Sequence, residues 1–202
     1  MFGDGIFTQE GPKWKHSRDM LRPQLQHMHY ENLEVFKAAV DDLIHVIEAS
    51  DGIIDLQPLF FRLTLDTTTA FLFGESVKSL RTPEAVGERT FANAFNTAQK
   101  WVTNRFRLLD FYWLVDGREF RQACRDVHAF ADQIIDRSLS SDRNESNNAG
   151  RYVFLDTIAN STSDRAALRG QIINILTAGR DTTACLLSWT LYVLFPSAII
   201  AH

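Results

Sequence analysis

The sequence predicts a mainly α-helical fold on three observations. Apolar residues recur at three- and four-residue spacing, prolines and glycines stand where helices begin and end, and a long final segment is amphipathic at its start, with Arg165 and Arg169, and then nearly all apolar. A first helix is expected from Pro12 to about Leu25, because proline suits a first helical position and Pro23 lies near the end. Leu33, Phe36, Val40, Leu43 and Ile47 form the stripe of a second helix over Glu31 to Ala49, which Asp51-Gly52 ends. Ile53-Ile54-Asp55-Leu56 reads as a short strand or connector. The next helix runs from near Pro58 to Gly74, locally weakened by Thr67-Thr68-Thr69.

Further helices are expected over Pro83 to Lys100 and Arg118 to Ser138, and the aromatic segment Phe106 to Trp113 between them is expected to pack or line a cavity. Ser140 to Asn148 holds no apolar residue and reads as a surface loop. A short helix over Tyr152 to Ile158 follows. Ser163 or Asp164 then caps a long helix reaching about Phe195. Thr182 to Ala201 carries no charge, so a membrane span is a second reading. Ser188, Thr190 and Pro196 make it a poor one.

With 202 residues, 45% hydrophobic and 23% charged, the chain can bury a core as one domain or part of a larger one. A net charge of -4 offers no basic footprint for nucleic acid. Cys124 and Cys185 both sit in helical patterns, which argues against a disulfide framework or a zinc cluster and for a reducing compartment. No metal ligands are assigned, since His27-Met28-His29 lacks a third partner. The opening residues show neither a signal peptide nor a membrane anchor, and the sequons at Asn144 and Asn160 are short enough to arise by chance.

Chemistry concentrates in Ala178-Gly179-Arg180-Asp181-Thr182-Thr183, in the middle of the long apolar helix. A helical glycine costs about 1 kcal/mol against alanine, and a buried aspartate needs partners, so a helix carrying both trades stability for something else. One reading has Gly179 admitting a flat ligand or dioxygen where the helix opens or bulges. Thr182 then offers a hydroxyl and Asp181 relays protons to it. The other is a helix kink whose threonines bond the preceding turn. The residues alone leave the two evenly balanced.

The hexapeptide matches, at every position, the oxygen-binding signature [A/G]-G-x-[D/E]-T-[T/S] of the cytochromes P-450, and so resembles their long central I-helix. About 160 residues upstream, Trp14-Lys15-His16-Ser17-Arg18 resembles the family's W-x-x-x-R. Residues four apart share a helix face, so the indole and guanidinium can donate to one carboxylate, although such a pair is more often a surface cation–π contact. Phe2 to Phe7 and Asp55 to Gly74 resemble the fungal branch that hydroxylates alkanes and fatty acids, as does Arg180 in the variable position.

The resemblance implies a single partial P-450 domain over residues 1–202, from the family's C-helix through its I-helix. It implies catalytic roles for Asp181 and Thr182, and haem contacts for Trp14, Arg18, Ala178 and Gly179. It further implies haem, an NADPH-dependent reductase, a hydrophobic substrate, and full-length relatives on the cytosolic face of the endoplasmic reticulum membrane, while this chain, without an anchor, is expected in the cytoplasm. Two family elements are missing. No F-x-x-G-x-R-x-C-x-G stretch supplies an iron thiolate, and no glutamate is followed by arginine three residues later. The chain is therefore expected to be inactive alone, and a non-enzymatic helical piece binding a partner or lipid is the rival reading.

Overall fold

In a computed structural model, residues 1–31, 33–74, 76–81, 86–140, 154–159 and 164–200 are described, and among them every regular element is helical. Helix α1 spans Gly11–Glu31 and α2 Leu33–Glu48. The first passes through Pro23 rather than stopping near it, held by Leu21, which is fully buried two residues earlier. In α2 the expected stripe is only partly used. Leu43 is buried with Ala39, whereas Leu33, Phe36 and Val40 are exposed, because α2 packs chiefly against one neighbour.

Helix α3, Leu56–Phe73, starts where the Asp55 carboxylate accepts from Gln57 N at 3.1 Å and ends at Gly74 in the left-handed conformation (φ 76°). Ile53 to Asp55 is therefore a connector. The threonines do not break α3. Thr64, Thr67 and Thr69 donate to carbonyls four residues back at 2.9, 3.1 and 2.8 Å, so their hydroxyls are satisfied inside the core. Asp66 is buried on this helix and accepts from Ser79 N (2.7 Å) and Leu80 N (3.1 Å), pinning the turn that follows α3. Burial pushes its carboxyl pKa up against the opposing effect of those bonds.

Helix α4 covers Val86–Arg107, and the expected start at Pro83 lies outside the described residues. A 3₁₀ turn over Leu109–Leu114 leads to α5, Arg118–Ser140. The aromatic segment is not buried, since Phe106, Phe111 and Trp113 are exposed. Arg105 closes the turn by donating to the Val115 carbonyl at 3.1 Å and stacking over Tyr112 and Phe120, which leaves the other rings facing outward. Residues 141–148 of the expected loop lie outside the described residues, as do Ser163 and the sequon asparagines.

After α6, Phe154–Ala159, helix α7 runs unbroken over Arg165–Ile200, past the expected end at Phe195. Asp164 caps it, accepting from Ala166 N at 2.9 Å. Arg165 and Arg169 in its first turns pair with Asp136 and Asp132 of α5. Leu72, Phe95, Val127, Ile135, Phe154 and Ile172 centre a large core among α3 to α7, and Leu43, Phe60, Leu63 and Ala184 form a smaller one among α2, α3 and α7. Among the described residues no helix is long and apolar enough to cross a membrane.

Residues 1–10 form a strap laid across α7. The Asn174 side chain accepts from Phe7 N (2.8 Å) and donates to the Phe2 carbonyl (3.0 Å), while Gln171 accepts from Ile6 N (3.1 Å). Gly170 makes room, since a Cβ there would collide with the Asp4 carbonyl.

Candidate functional site

The signature residues lie in the middle of α7, where the helix leaves the shelter of α3 and α4. Ala184 and Arg180 face inward and are buried, whereas Thr182, Thr183 and Leu186 are exposed on the opposite face. This division follows from helical spacing, because positions four apart share a face.

The bulge that one of the two readings of the sequence placed at Gly179 does not occur, and α7 is α-helical throughout. What approaches Gly179 is Thr68 of α3: a Cβ on the glycine would lie 2.8 Å from Thr68 Oγ1 and 3.1 Å from its Cγ2. The missing side chain thus lets α3 and α7 pack closely. Thr182 donates its hydroxyl to the Ala178 carbonyl at 2.7 Å, the back-bonded arrangement.

Arg180 is the most heavily engaged residue of the site, with only 3% of its surface exposed. Its guanidinium lies between the rings of Phe61 and Phe95, 4.8 and 5.2 Å from their centroids. It donates to Asn96 Oδ1 (2.5 Å), Gln99 Oε1 (3.1 Å) and Asp181 Oδ1 (3.0 Å). Nε alone is left without a partner. Burial pulls the guanidinium pKa below its ordinary value, opposed by the Asp181 carboxylate, and the group remains cationic. The second Asp181 oxygen accepts from Gln99 Nε2. Among the described residues no hydrogen bond joins Asp181 to the Thr182 hydroxyl.

Trp14 and Arg18 lie on an exposed face of α1, the guanidinium 5.7 Å from the indole centroid. Among the described residues, no hydrogen bond or ring contact joins them to the α7 signature. The link between the two helices runs through Ser17, on the buried side of α1. Gln171 Nε2 donates to its hydroxyl at 2.6 Å, and that hydroxyl donates to Gln9 Oε1 at 2.5 Å. The structure thus adds Asn96, Gln99 and Gln171 to the residues expected from sequence. Asn96 and Gln99 carry a weak signal, two amides three residues apart beside Phe95 and Ala98.

Neither cysteine belongs to this site. Cys124 packs half-buried on α5, and Cys185 is exposed on α7. Among the described residues no cluster of three metal-ligating side chains occurs, and the side chains of His27 to His29 lie outside them.

Comparison with known proteins places these features in a family. The family model described as Cytochrome P450 matches residues 1–197. A protein named Cytochrome P450 from Arthroderma benhamiae is 47% identical over 197 residues, 95% of this chain and 39% of that protein. Cytochrome P450 52A4 of Candida maltosa is 43% identical over 204 residues, 96% of this chain and 38% of the relative. The chain therefore spans about two fifths of the length of these relatives. The heme domain of cytochrome P450DA superposes with a TM-score of 0.72 at 22% identity, over 98% of this chain and 44% of that one, a likeness of fold.

Proposed function

The chain belongs to the cytochrome P450 family, and from that membership we propose that it forms the helical part of a haem-dependent monooxygenase. Such an enzyme inserts one atom of O₂ into a C–H bond of a hydrophobic substrate, here an alkane or fatty acid. The observation that carries the reading is the adjacency of a part-exposed carboxylate, Asp181, and an exposed hydroxyl, Thr182, in the middle of α7. The narrower substrate class is supported by the similarity of Asp55 to Gly74 to the fungal branch.

The family's cofactor is haem, which when bound supplies the redox chemistry that splits dioxygen. The residues present fit it. Trp14 and Arg18 carry N–H donors on one exposed helix face, suited to a propionate, and Ala178, Thr182 and Thr183 lie toward the side of α7 that this chain leaves uncovered. Gly179 contributes by letting α3 seat α7. The Thr182 hydroxyl, parked on the Ala178 carbonyl, can turn outward to donate a proton, and the half-exposed Asp181 can take one from solvent. Neither Cys124 nor Cys185 sits in a loop that could present a thiolate to iron, so residues 1–202 alone do not catalyse the reaction. Electrons are proposed to come from an NADPH-dependent reductase, and the complete protein to work at the cytosolic face of the endoplasmic reticulum membrane.

The test is a chimera in which residues 1–197 replace the aligned segment of the Arthroderma benhamiae relative. Thr182→Ala should lower product formed per NADPH by about 10²-fold while NADPH consumption and peroxide persist. Asp181→Asn should slow the whole cycle. Unchanged yield and rate in both variants would reject the roles given to these residues. A second reading, a helical piece that binds a partner or lipid, is favoured by exposed Leu186, Trp189 and Tyr192 on α7. A chimera that takes up no haem would favour it.

A further inference from the structure

We propose that Gln99 of α4 is the positioning residue of Asp181, holding its carboxylate toward α4 and so setting when it can serve Thr182. The inference rests on the reading of Asp181 as a proton carrier. Gln99 is half-buried beside Arg180 and uses both ends of its amide. Its oxygen accepts from Arg180 Nη1 at 3.1 Å, and its nitrogen donates to Asp181 Oδ2. Arg180 takes the other carboxylate oxygen at 3.0 Å. Both oxygens of Asp181 are thus claimed, one by Gln99 of α4 and one by the adjacent Arg180, while the Thr182 hydroxyl is spent on the Ala178 carbonyl.

The amide can point only one way. Turned over, its oxygen would face the carboxylate and its NH₂ would face the guanidinium, which cannot accept a hydrogen bond. Arg180 cannot swing away either. It is buried between Phe61 and Phe95, Asn96 holds its second nitrogen, and leaving would abandon a charge with little access to water. The movable member is therefore the Gln99–Asp181 bond, which is partly exposed and spans two helices 82 residues apart in sequence. A shift of α4 that draws Gln99 away from α7 frees one carboxylate oxygen, while Arg180, next to Asp181 on α7, keeps the other. Position of α4 and availability of Asp181 are thereby coupled.

Gln99→Glu separates positioning from bulk structure. It keeps the side-chain length and an oxygen acceptor for Arg180, but turns donation to Asp181 into repulsion between carboxylates. In the chimera, this variant should lower the thermal unfolding midpoint and reduce product per NADPH about 10-fold with substrate KM unchanged. The exchange Gln99→Glu with Asp181→Asn restores an amide–carboxylate pair across the same gap. It should recover the midpoint but not the yield, because the carboxylate then stands on the wrong helix. Gln99→Met, which removes the bond without adding charge, leaves Asp181 free whatever the position of α4, so protons arrive out of step with the cycle and the yield should fall in the same direction.

An exchange variant no more stable than Gln99→Glu alone would overturn the contact, as would a parent-like midpoint and yield in Gln99→Glu and Gln99→Met. A restored midpoint together with a parent-like yield in Asp181→Asn would leave the contact standing and reject the proton-carrier reading instead.

Discussion

Gln171 of α7 and Ser17 of α1, 154 residues apart in sequence, share a buried hydrogen bond of 2.6 Å, and this bond ties the helix bearing Trp14 and Arg18 to the helix bearing Asp181 and Thr182. Gln171 also accepts from Ile6 N, so one amide fixes both the strap and α1.

Replacing Gln171 with leucine should therefore leave the Ile6 N–H and the Ser17 hydroxyl short of a partner. Each buried polar group abandoned costs about 1–3 kcal/mol. The expected result is a lower urea midpoint together with faster proteolytic cleavage within residues 1–10. Parent-like protection of the strap would contradict the assigned role.

Gly179→Ala should destabilise by about 1–3 kcal/mol, the usual effect of overpacking a close helix contact. The new methyl group would meet Thr68, so Thr68→Ala in the same chain should recover most of the loss. Thermal unfolding of the two single variants and the double variant checks this. Additive losses would show that Gly179 is needed for some other reason.

His128 gives stability a pH dependence. Burial holds its imidazole pKa below the ordinary histidine value, with the nearby Arg169 cation adding to the effect and the bond to the Met1 carbonyl opposing it. Because the folded pKa is depressed, the unfolded chain takes up the proton first as pH falls. The contribution of neutral His128 is thus present above the unfolded value of about 6.5 and is lost as pH falls through the lower folded value. His128→Gln, which keeps an N–H donor for Met1 and cannot titrate, should flatten the unfolding midpoint between pH 7.5 and pH 5 on the order of one histidine's worth. An equally steep decline in the variant would assign the effect elsewhere.

The 202-residue chain mixed with haem should show no thiolate-type Soret band in its reduced carbon monoxide difference spectrum, because Cys124 and Cys185 are helix residues outside any iron-facing loop. A strong band from this chain alone would mean that one of them reaches the metal.

Local chemistry was readable from the sequence. Asp164 before an apolar run and Gly74 after one mark helix ends by local geometry, and the structure forms both, whereas the cap at Asp55 lay inside a stretch that read as strand or connector. The hexapeptide Ala178 to Thr183 was readable as a motif. Its interior was not, because Arg180 finds Asn96 and Gln99 more than 80 residues away and no periodicity encodes that meeting. The same limit explains α2, whose apolar stripe is real but whose neighbours cover only part of it. In the Leu109–Leu114 turn, aromatic composition suggested burial, whereas the clamp by Arg105 turns the rings outward. Gly179 was read by what its bare Cα could admit, and only packing shows that the visitor is Thr68.

The strap over α7 also sets an order of events during synthesis. Ile6 N, Phe7 N and the Phe2 carbonyl find side-chain partners at Gln171 and Asn174, so a nascent chain must carry these groups without those partners until residues 171–174 have left the ribosome. Closing so long a loop adds little entropy cost beyond that of a shorter one, since the penalty grows only with the logarithm of length, but the wait is unavoidable. Residues 2–7 thus settle well after they are made, and in that interval they are open to chaperones and proteases.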